Sequence, residues 1–242
     1  MKSNWRRTME YEEEKTTMSV ASGIHKWMVR ILLAIMIIEW GLLIAEQQWL
    51  SASMVFLIIA FVISPEILRK RFDVTIPTEF QILAIIFVFA ALFLGEVRSF
   101  YARFWWWDIV LHTSSGLLLG IVGFLLVYVL NEHKRTDFHL HPRFVAFFAF
   151  SFAVAAGALW EIFEFSMDQI LGTNMQKTML EDPSGLTDTM WDLIVDVLGA
   201  FAISMFGWWF MKQGQRSFIE DWIQKFIDKN PKFFSPKKLF HR

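Results

Sequence analysis

Three short phrases in the sequence carry the ionisable residues best suited to chemistry. Each phrase begins with a tryptophan and an acid, and a second ionisable residue follows three or four positions after that acid, in residues 107–112, 160–164 and 191–196. All three phrases lie inside or at the edge of a long apolar segment, where a charged side chain costs roughly 2.5 to 3.5 kcal/mol on insertion scales. The phrases therefore predict a polar site within a membrane protein.

Helical spacing places the ionisable residues of each phrase on one face. Asp108 and His112 are four residues apart, and the acids of the other two phrases recur at steps of three and four. Such residues lie on one side of a helix. Small residues extend the same stripes and allow helices to approach closely. These small residues are Ser115, Gly116, Gly120, Ala153, Gly157 and Gly199.

Acids gathered in this way must bind protons, basic side chains or a cation, because unpaired carboxylates repel one another. Carboxylates with one imidazole favour Mg, Mn or Fe and also accept Zn. The sequence has no cysteine, which excludes thiolate sites. We predict one or two divalent metal ions as cofactor. The predicted metal ligands are His112, Glu161, Glu164, Asp192 and Asp196, and the predicted catalytic residues are Asp108 and Asp188.

Two other interpretations of the acids remain open. Arg98 and Arg103 precede the first phrase, and a structural network of ion pairs with these arginines needs no metal. A cation or proton pathway is the second alternative, since carboxylates inside a membrane commonly mark one. Individually, Asp108, Asp168 and Asp188 also fit as ordinary residues at helix ends.

The composition predicts the elements that position these residues. Of the 242 residues, 55% are apolar and 19% are charged, which is typical of a helical membrane bundle, and the net charge of −1 gives no sign of nucleic-acid binding. Six segments are long enough to cross about 30 Å of hydrocarbon as helices. These predicted spans are residues 27–46, 50–68, 79–97, 108–130, 144–170 and 188–211.

Lysine and arginine indicate the orientation of the spans. They concentrate in the N-terminal segment, the second and fourth loops and the C-terminal tail, which places both termini in the cytoplasm. All three phrases then lie at extracytoplasmic helix ends. A rise of about 1.5 Å per residue puts His112 roughly 6 Å, Glu161 roughly 10 Å and Asp196 roughly 12 Å below that face. One pocket at a shared depth is expected, with the tryptophans marking the membrane boundary.

The chain is predicted to have three parts: a polar segment (1–26), a membrane domain of six helices (27–211), and a cytoplasmic part (212–242) with an amphipathic helix and a basic tail. Phe218, Trp222 and Phe226 recur at helical spacing among charged residues, as in helices that lie on a membrane surface. Membrane lipids are the expected partners. Glu39, inside the first span, is a candidate to contact the ligands of the site from outside. The loop before Asp188 fits either a lid over the site or a simple connector.

The residues of these phrases resemble the YjdF-like family of bacterial inner-membrane proteins. The resemblance covers the fourth to sixth spans, in residues 107–116, 158–164 and 188–199. It implies a multi-pass protein of the bacterial plasma membrane and no established activity. Function is therefore predicted from the residues: a divalent-metal-dependent enzyme acting on a lipid or lipid-linked substrate, or a cation-binding transporter or sensor. A blind pocket favours the enzyme, and a lined path across the membrane favours transport.

Overall fold

The protein is all-α in the computed structural model, which describes residues 23, 27, 29–131, 140–214, 218–232 and 234. The first helix, α1, covers residues 29–45. The helices that follow are α2 (Trp49–Phe72), α3 (Thr78–Val88), which continues in wider π-helical turns over Phe89–Val97, α4 (Phe100–Arg103), α5 (Trp107–Asn131), α6 (Pro142–Leu171), α7 (Leu186–Gln213) and α8 (Phe218–Lys229).

Within the described residues, five helices are long and apolar enough to cross a membrane. They match the second to sixth predicted spans, which confirms an all-α protein with multiple membrane helices. The first predicted span, residues 27–46, corresponds to α1, and its crossing of the membrane stays a prediction. The five segments are Ser51–Phe72, Thr78–Val97, Trp107–Tyr128, Pro142–Leu171 and Leu186–Gln213.

The observed helices extend beyond the apolar runs that predicted them. The second predicted span stops at residue 68, whereas α2 continues to Phe72 through a last turn that is rich in lysine and arginine. Positive charges near a helix C-terminus are favourable, because they face the negative end of the helix dipole. The length of an apolar run predicts the part of a helix that lies in hydrocarbon. It does not include the charged last turn of the helix.

The described residues form two compact units, Met1–Arg98 and Ser99–Arg242. In the first unit, α1, α2 and α3 with its π-helical turns enclose an apolar core. Among the described residues of this unit, one ion pair joins residues that are far apart in the sequence. It links Arg98 to the half-buried Glu39 at 2.7 Å. The core side chains are Met36, Leu43, Ala52, Val55, Ile58, Val62, Ile85 and Phe93.

In the second unit, α5, α6 and α7 pack against one another, and α8 contacts α5. Glycine makes these contacts close. A Cβ atom on Gly116 would collide with the backbone carbonyl of Asp196, and a Cβ atom on Gly199 would collide with that of Thr113. The predicted close approach of these three helices is therefore confirmed, with the small residues at the points of contact.

The C-terminal helix α8 is amphipathic, as predicted, and a stripe of isoleucines along it is buried. Ile219, Ile223 and Ile227 recur every four residues and are buried, whereas Phe218 is exposed. The isoleucine stripe packs within the second unit. The proposed division at residues 26 and 211 is untested, and most of segment 1–26 and the tail from 235 lie outside the described residues.

Candidate metal site

His112 lies at the centre of the site, on the second turn of α5 and buried among α5, α6 and α7. Four carboxylates from these three helices surround its ring. Nε2 is 3.6 Å from Asp108 Oδ1 and 3.8 Å from Asp192 Oδ2. Nδ1 is 3.3 Å from Asp196 Oδ2 and 3.8 Å from Glu161 Oε1. The imidazole thus separates the acids into two pairs, one on each edge of the ring.

Asp196 is held in place on the Nδ1 edge. The Ser115 hydroxyl donates a hydrogen bond to Asp196 Oδ1, and Asp196 Oδ2 is the nearest carboxylate oxygen to His112 Nδ1. Gly157 makes room for this carboxylate, because a Cβ atom there would lie 2.7 Å from Oδ2. We assign the ring proton to Nδ1, where it faces Asp196, which leaves the Nε2 lone pair directed to the other edge.

The Nε2 edge has the geometry of a metal site. The ligand atoms of Asp108, His112 and Asp192 all lie within 4.8 Å of one another. Ions with ligands at about 2.1 Å separate those ligands by about 3.4 Å in tetrahedral and about 3.0 to 4.2 Å in octahedral sites. The Asp192 side chain is 1% exposed, and neither of its oxygens has a hydrogen-bond partner within the described residues. The three groups form a set that could hold a metal ion.

Two glutamates on α6 complete the acidic face. Glu161 is 4% exposed, and neither carboxylate oxygen has a hydrogen-bond partner in the described part of the chain. Glu164 lies one turn further along the same helix face and is also buried. Unlike Glu161, it makes no ion pair with His112 among the described residues. Both predicted ligands therefore face the interior, and Glu161 is the nearer to the ring.

The loop between α6 and α7 is fastened to acids at both of its ends. Asp168, in the last turn of α6, accepts three hydrogen bonds of 2.6 to 2.9 Å from the loop. Asp188, in the first turn of α7, accepts a hydrogen bond from the backbone N–H of Lys177 at 2.6 Å. These bonds favour the connector over the mobile lid. The predicted catalytic role of Asp188 stays a prediction, and its observed partner is the loop backbone.

Asp182 fixes the second half of this loop. Its carboxylate accepts hydrogen bonds from the backbone N–H groups and the hydroxyls of Ser184 and Thr187. These four donors hold the pKa of Asp182 well below its usual range. Gly185 follows with a φ of +77°, a conformation that glycine adopts without strain. The chain thereby enters α7 in the register that places Asp188 and Asp192 on the inner face.

Trp160 and Trp191 point away from the buried acids that directly follow them in the sequence. Trp160 and Trp191 are exposed, while Glu161 and Asp192, the next residues, are buried. Consecutive residues of a helix point about 100° apart, so a Trp-acid pair presents one side chain outward and the other inward. This arrangement agrees with the predicted anchoring at the membrane boundary.

Apolar packing closes the bundle on the other side of Asp196. Phe124 is fully buried and contacts Gly207, while Ile203 contacts Gly120. Ser204 is the exception, a buried hydroxyl without a hydrogen-bond partner among the described residues. These apolar contacts lie further along the helices than the buried acids.

Two expectations about polar partners changed once the structure was known. The predicted arginine network does not form at Arg103, which makes no ion pair with these acids in the described part of the chain, and Arg98 binds Glu39 instead. The sequence pattern predicted Ser115 only as a small residue at a helix contact. Its position three residues after His112, on the same helix face, was the available signal for its contact with Asp196.

Comparison with known proteins places the chain in a family. Residues 24–213 match the family described as predicted membrane protein (DUF2238), and the chain belongs to this family. It is also 31% identical, over 142 residues, to an uncharacterized protein of Thermotoga maritima, in an alignment that covers 58% of this chain and 68% of that relative. No solved structure matches the chain.

Proposed function

We propose that this membrane protein binds a divalent metal ion through Asp108, His112 and Asp192 and uses it on a lipid or lipid-linked substrate. The observation that carries the proposal is the Asp192 carboxylate, which is 1% exposed, lies 3.8 Å from His112 Nε2 and has no hydrogen-bond partner within the described residues. An unpaired buried carboxylate is strongly unfavourable, and a cation shared with neighbouring ligands removes that cost.

The contacts suggest different roles for the predicted site residues. Asp108 and Asp192 act as ligands with His112 Nε2, so Asp108 moves from the predicted catalytic residues to the ligands. Asp196 acts as a positioning residue, since it lies beside Nδ1 and accepts from Ser115. Asp188 anchors the loop through Lys177. A divalent ion held here would polarise an oxygen of the substrate and make bound water more acidic.

The surroundings of the site support a lipid substrate. Trp160, Phe163, Trp191 and Ile194 are exposed on α6 and α7, next to the buried acids. In a membrane, these side chains face lipid and bring acyl chains close to the ligands. Apolar packing around Phe124 closes the other end of the helices, which argues against the alternative of a cation transporter. A sensor that binds the same ion without catalysis is distinguished by lipid analysis.

The location of the site follows from the charge pattern. We propose six spans with α1 as the first, cytoplasmic termini, and the acids at the extracytoplasmic face of a bacterial plasma membrane, as in the YjdF-like family. Lysine and arginine on the second loop and near both termini support this orientation.

Metal binding by the purified full chain in detergent tests the proposal. After removal of metals with a chelator, Mn²⁺ is added back and bound metal is measured by equilibrium dialysis with elemental analysis. We expect Asp192→Asn to weaken binding more than about 100-fold, because changes outside the first coordination shell already cost about 10- to 100-fold. Asp221→Asn, at an exposed acid on α8, is the matched control and should bind as the parent does.

Two results would contradict the proposal: a parent protein that binds no ion, or an Asp192→Asn variant that is folded and binds as tightly as the parent. The substrate is tested separately. Untargeted lipid profiling of a deletion strain should show one lipid class accumulating, and restoration by the parent gene, but not by the Asp192→Asn gene, ties that change to the site. An unchanged profile would refute the lipid substrate and leave a sensor.

A further inference from the structure

One metal ion on the Nε2 edge leaves a second buried carboxylate without compensation. Glu161 lies at the opposite edge of the imidazole, 3.8 Å from Nδ1. It is 4% exposed, and both of its oxygens lack hydrogen-bond partners in the described part of the chain. The Nδ1 proton is directed to Asp196, which lies nearer at 3.3 Å. A cation other than the one held by Asp108, His112 and Asp192 would compensate the Glu161 carboxylate.

The placement of Glu161 on α6 suits a second ion. Glu164 follows three residues later, so the two side chains are neighbours on one face of the helix. Both are buried and point toward α5 and α7 rather than toward lipid. Gly157, one turn before Glu161, lets α7 and its Asp196 carboxylate approach the helix. The two glutamates thus form a pair of oxygen donors beside the first ion.

The charges around the imidazole ring also favour a second ion. Six acids from α5, α6 and α7 gather at the site, and a single divalent ion offsets only two of their negative charges. Oxygen donors of this kind are preferred by hard ions such as Mg²⁺ and Mn²⁺. Two-metal sites in helical bundles are built from carboxylates on facing helices. The acids are Asp108, Glu161, Glu164, Asp188, Asp192 and Asp196.

We propose that Glu161 and Glu164 hold a second divalent ion next to the first, so that the site is a two-metal centre. This inference rests on the proposed function, because it requires the first ion at Asp108, His112 and Asp192. Because Glu161 lies 3.8 Å from Nδ1, on the other edge of the same ring, the two ions would lie several ångströms apart. At that separation, two Mn²⁺ ions couple magnetically and can be told apart from isolated ones.

The experiment counts ions and detects their coupling in the full chain. Metal-free protein in detergent is titrated with Mn²⁺, bound metal per chain is measured, and low-temperature EPR spectra are recorded. We expect the parent to bind two ions per chain with the spectrum of a coupled pair. Glu161→Gln should bind one ion with the six-line spectrum of isolated Mn²⁺, and Glu164→Gln should weaken the second ion. Glu181→Gln, at an exposed acid of the loop, should behave as the parent does.

Each outcome separates the two proposals. A parent that binds a single, uncoupled ion that is lost in Asp192→Asn overturns the two-metal centre and leaves the proposed function intact. A parent that binds no ion overturns both. Two ions retained in a folded Glu161→Gln variant would also overturn the assignment of the second ion. In the metal-free protein, Glu161→Gln keeps the size of the side chain and removes an unpaired charge, so its thermal unfolding temperature should be at least that of the metal-free parent.

Discussion

In the first unit, the half-buried Glu39 carboxylate meets the Arg98 guanidinium at 2.7 Å, whereas in the second unit the Asp192 carboxylate is 1% exposed and has no hydrogen-bond partner within the described residues. Both units contain acids within or beside long apolar helices. In the first unit an arginine pairs with one acid, whereas in the second unit a single histidine lies among four carboxylates. Glu39 thus has an arginine partner within its own unit, whereas the proposed metal ion would compensate the charge of Asp192.

The space around glycine residues also differs between the two units. A Cβ atom at Gly41, on α1, would meet nothing within 4 Å, whereas one at Gly116 would strike the backbone of Asp196. The first unit packs through large aliphatic side chains, which tolerate wider helix spacing. In the second unit, the helices must approach closely enough for side chains of three helices to reach one imidazole.

The largest effect is expected from a substitution that prevents this close approach of the helices. Gly116→Ala should destabilise the protein by about 2 to 3 kcal/mol, because the added methyl group forces apart α5 and α7. Gly41→Ala is the matched change in the first unit and should be neutral or stabilise by about 0.5 to 1 kcal/mol, since alanine favours the helix. Unfolding in mixed micelles with increasing SDS measures both. Equal effects at the two positions would remove packing as the basis of the comparison.

A smaller effect is expected from removing the hydrogen bond that holds Asp196 beside the imidazole of His112. Ser115→Ala removes the hydroxyl that donates to Asp196, and Mn²⁺ affinity should fall about 10-fold, as for other changes to groups that orient a ligand. Ser114 donates to a backbone carbonyl of its own helix, that of Val110, at 2.6 Å. Ser114→Ala should therefore leave the affinity unchanged. If both variants bind Mn²⁺ like the parent, Asp196 has no part in positioning His112.

The smallest effect concerns the paired charge of the first unit. Arg98→Gln leaves Glu39 without its partner and should cost about 1 kcal/mol, a modest value because the arginine is half exposed. Adding Glu39→Gln should recover most of that loss. Mn²⁺ binding should not change in either variant, as measured by the same dialysis. A large loss of Mn²⁺ affinity in Arg98→Gln would show that this ion pair also supports the metal site.

Much of the fold was predictable because it depends on local properties of the chain. Apolar length located the five long helices, and the spacing of small residues predicted which faces would touch. Helix ends were missed by up to a turn, as at Phe72, because they depend on caps and charged last turns.

The sequence by itself singled out the residues of the candidate site. The cost of charge in an apolar segment and the helical spacing of Asp108, His112, Glu161, Asp192 and Asp196 set them apart from ordinary surface acids. Tertiary structure decided what each does. Only the packing of α5, α6 and α7 divides the acids between the two edges of the ring, joins Ser115 to Asp196 and leaves Asp192 and Glu161 without hydrogen-bond partners in the described chain. These relations join residues far apart in sequence, where spacing along one helix carries no information.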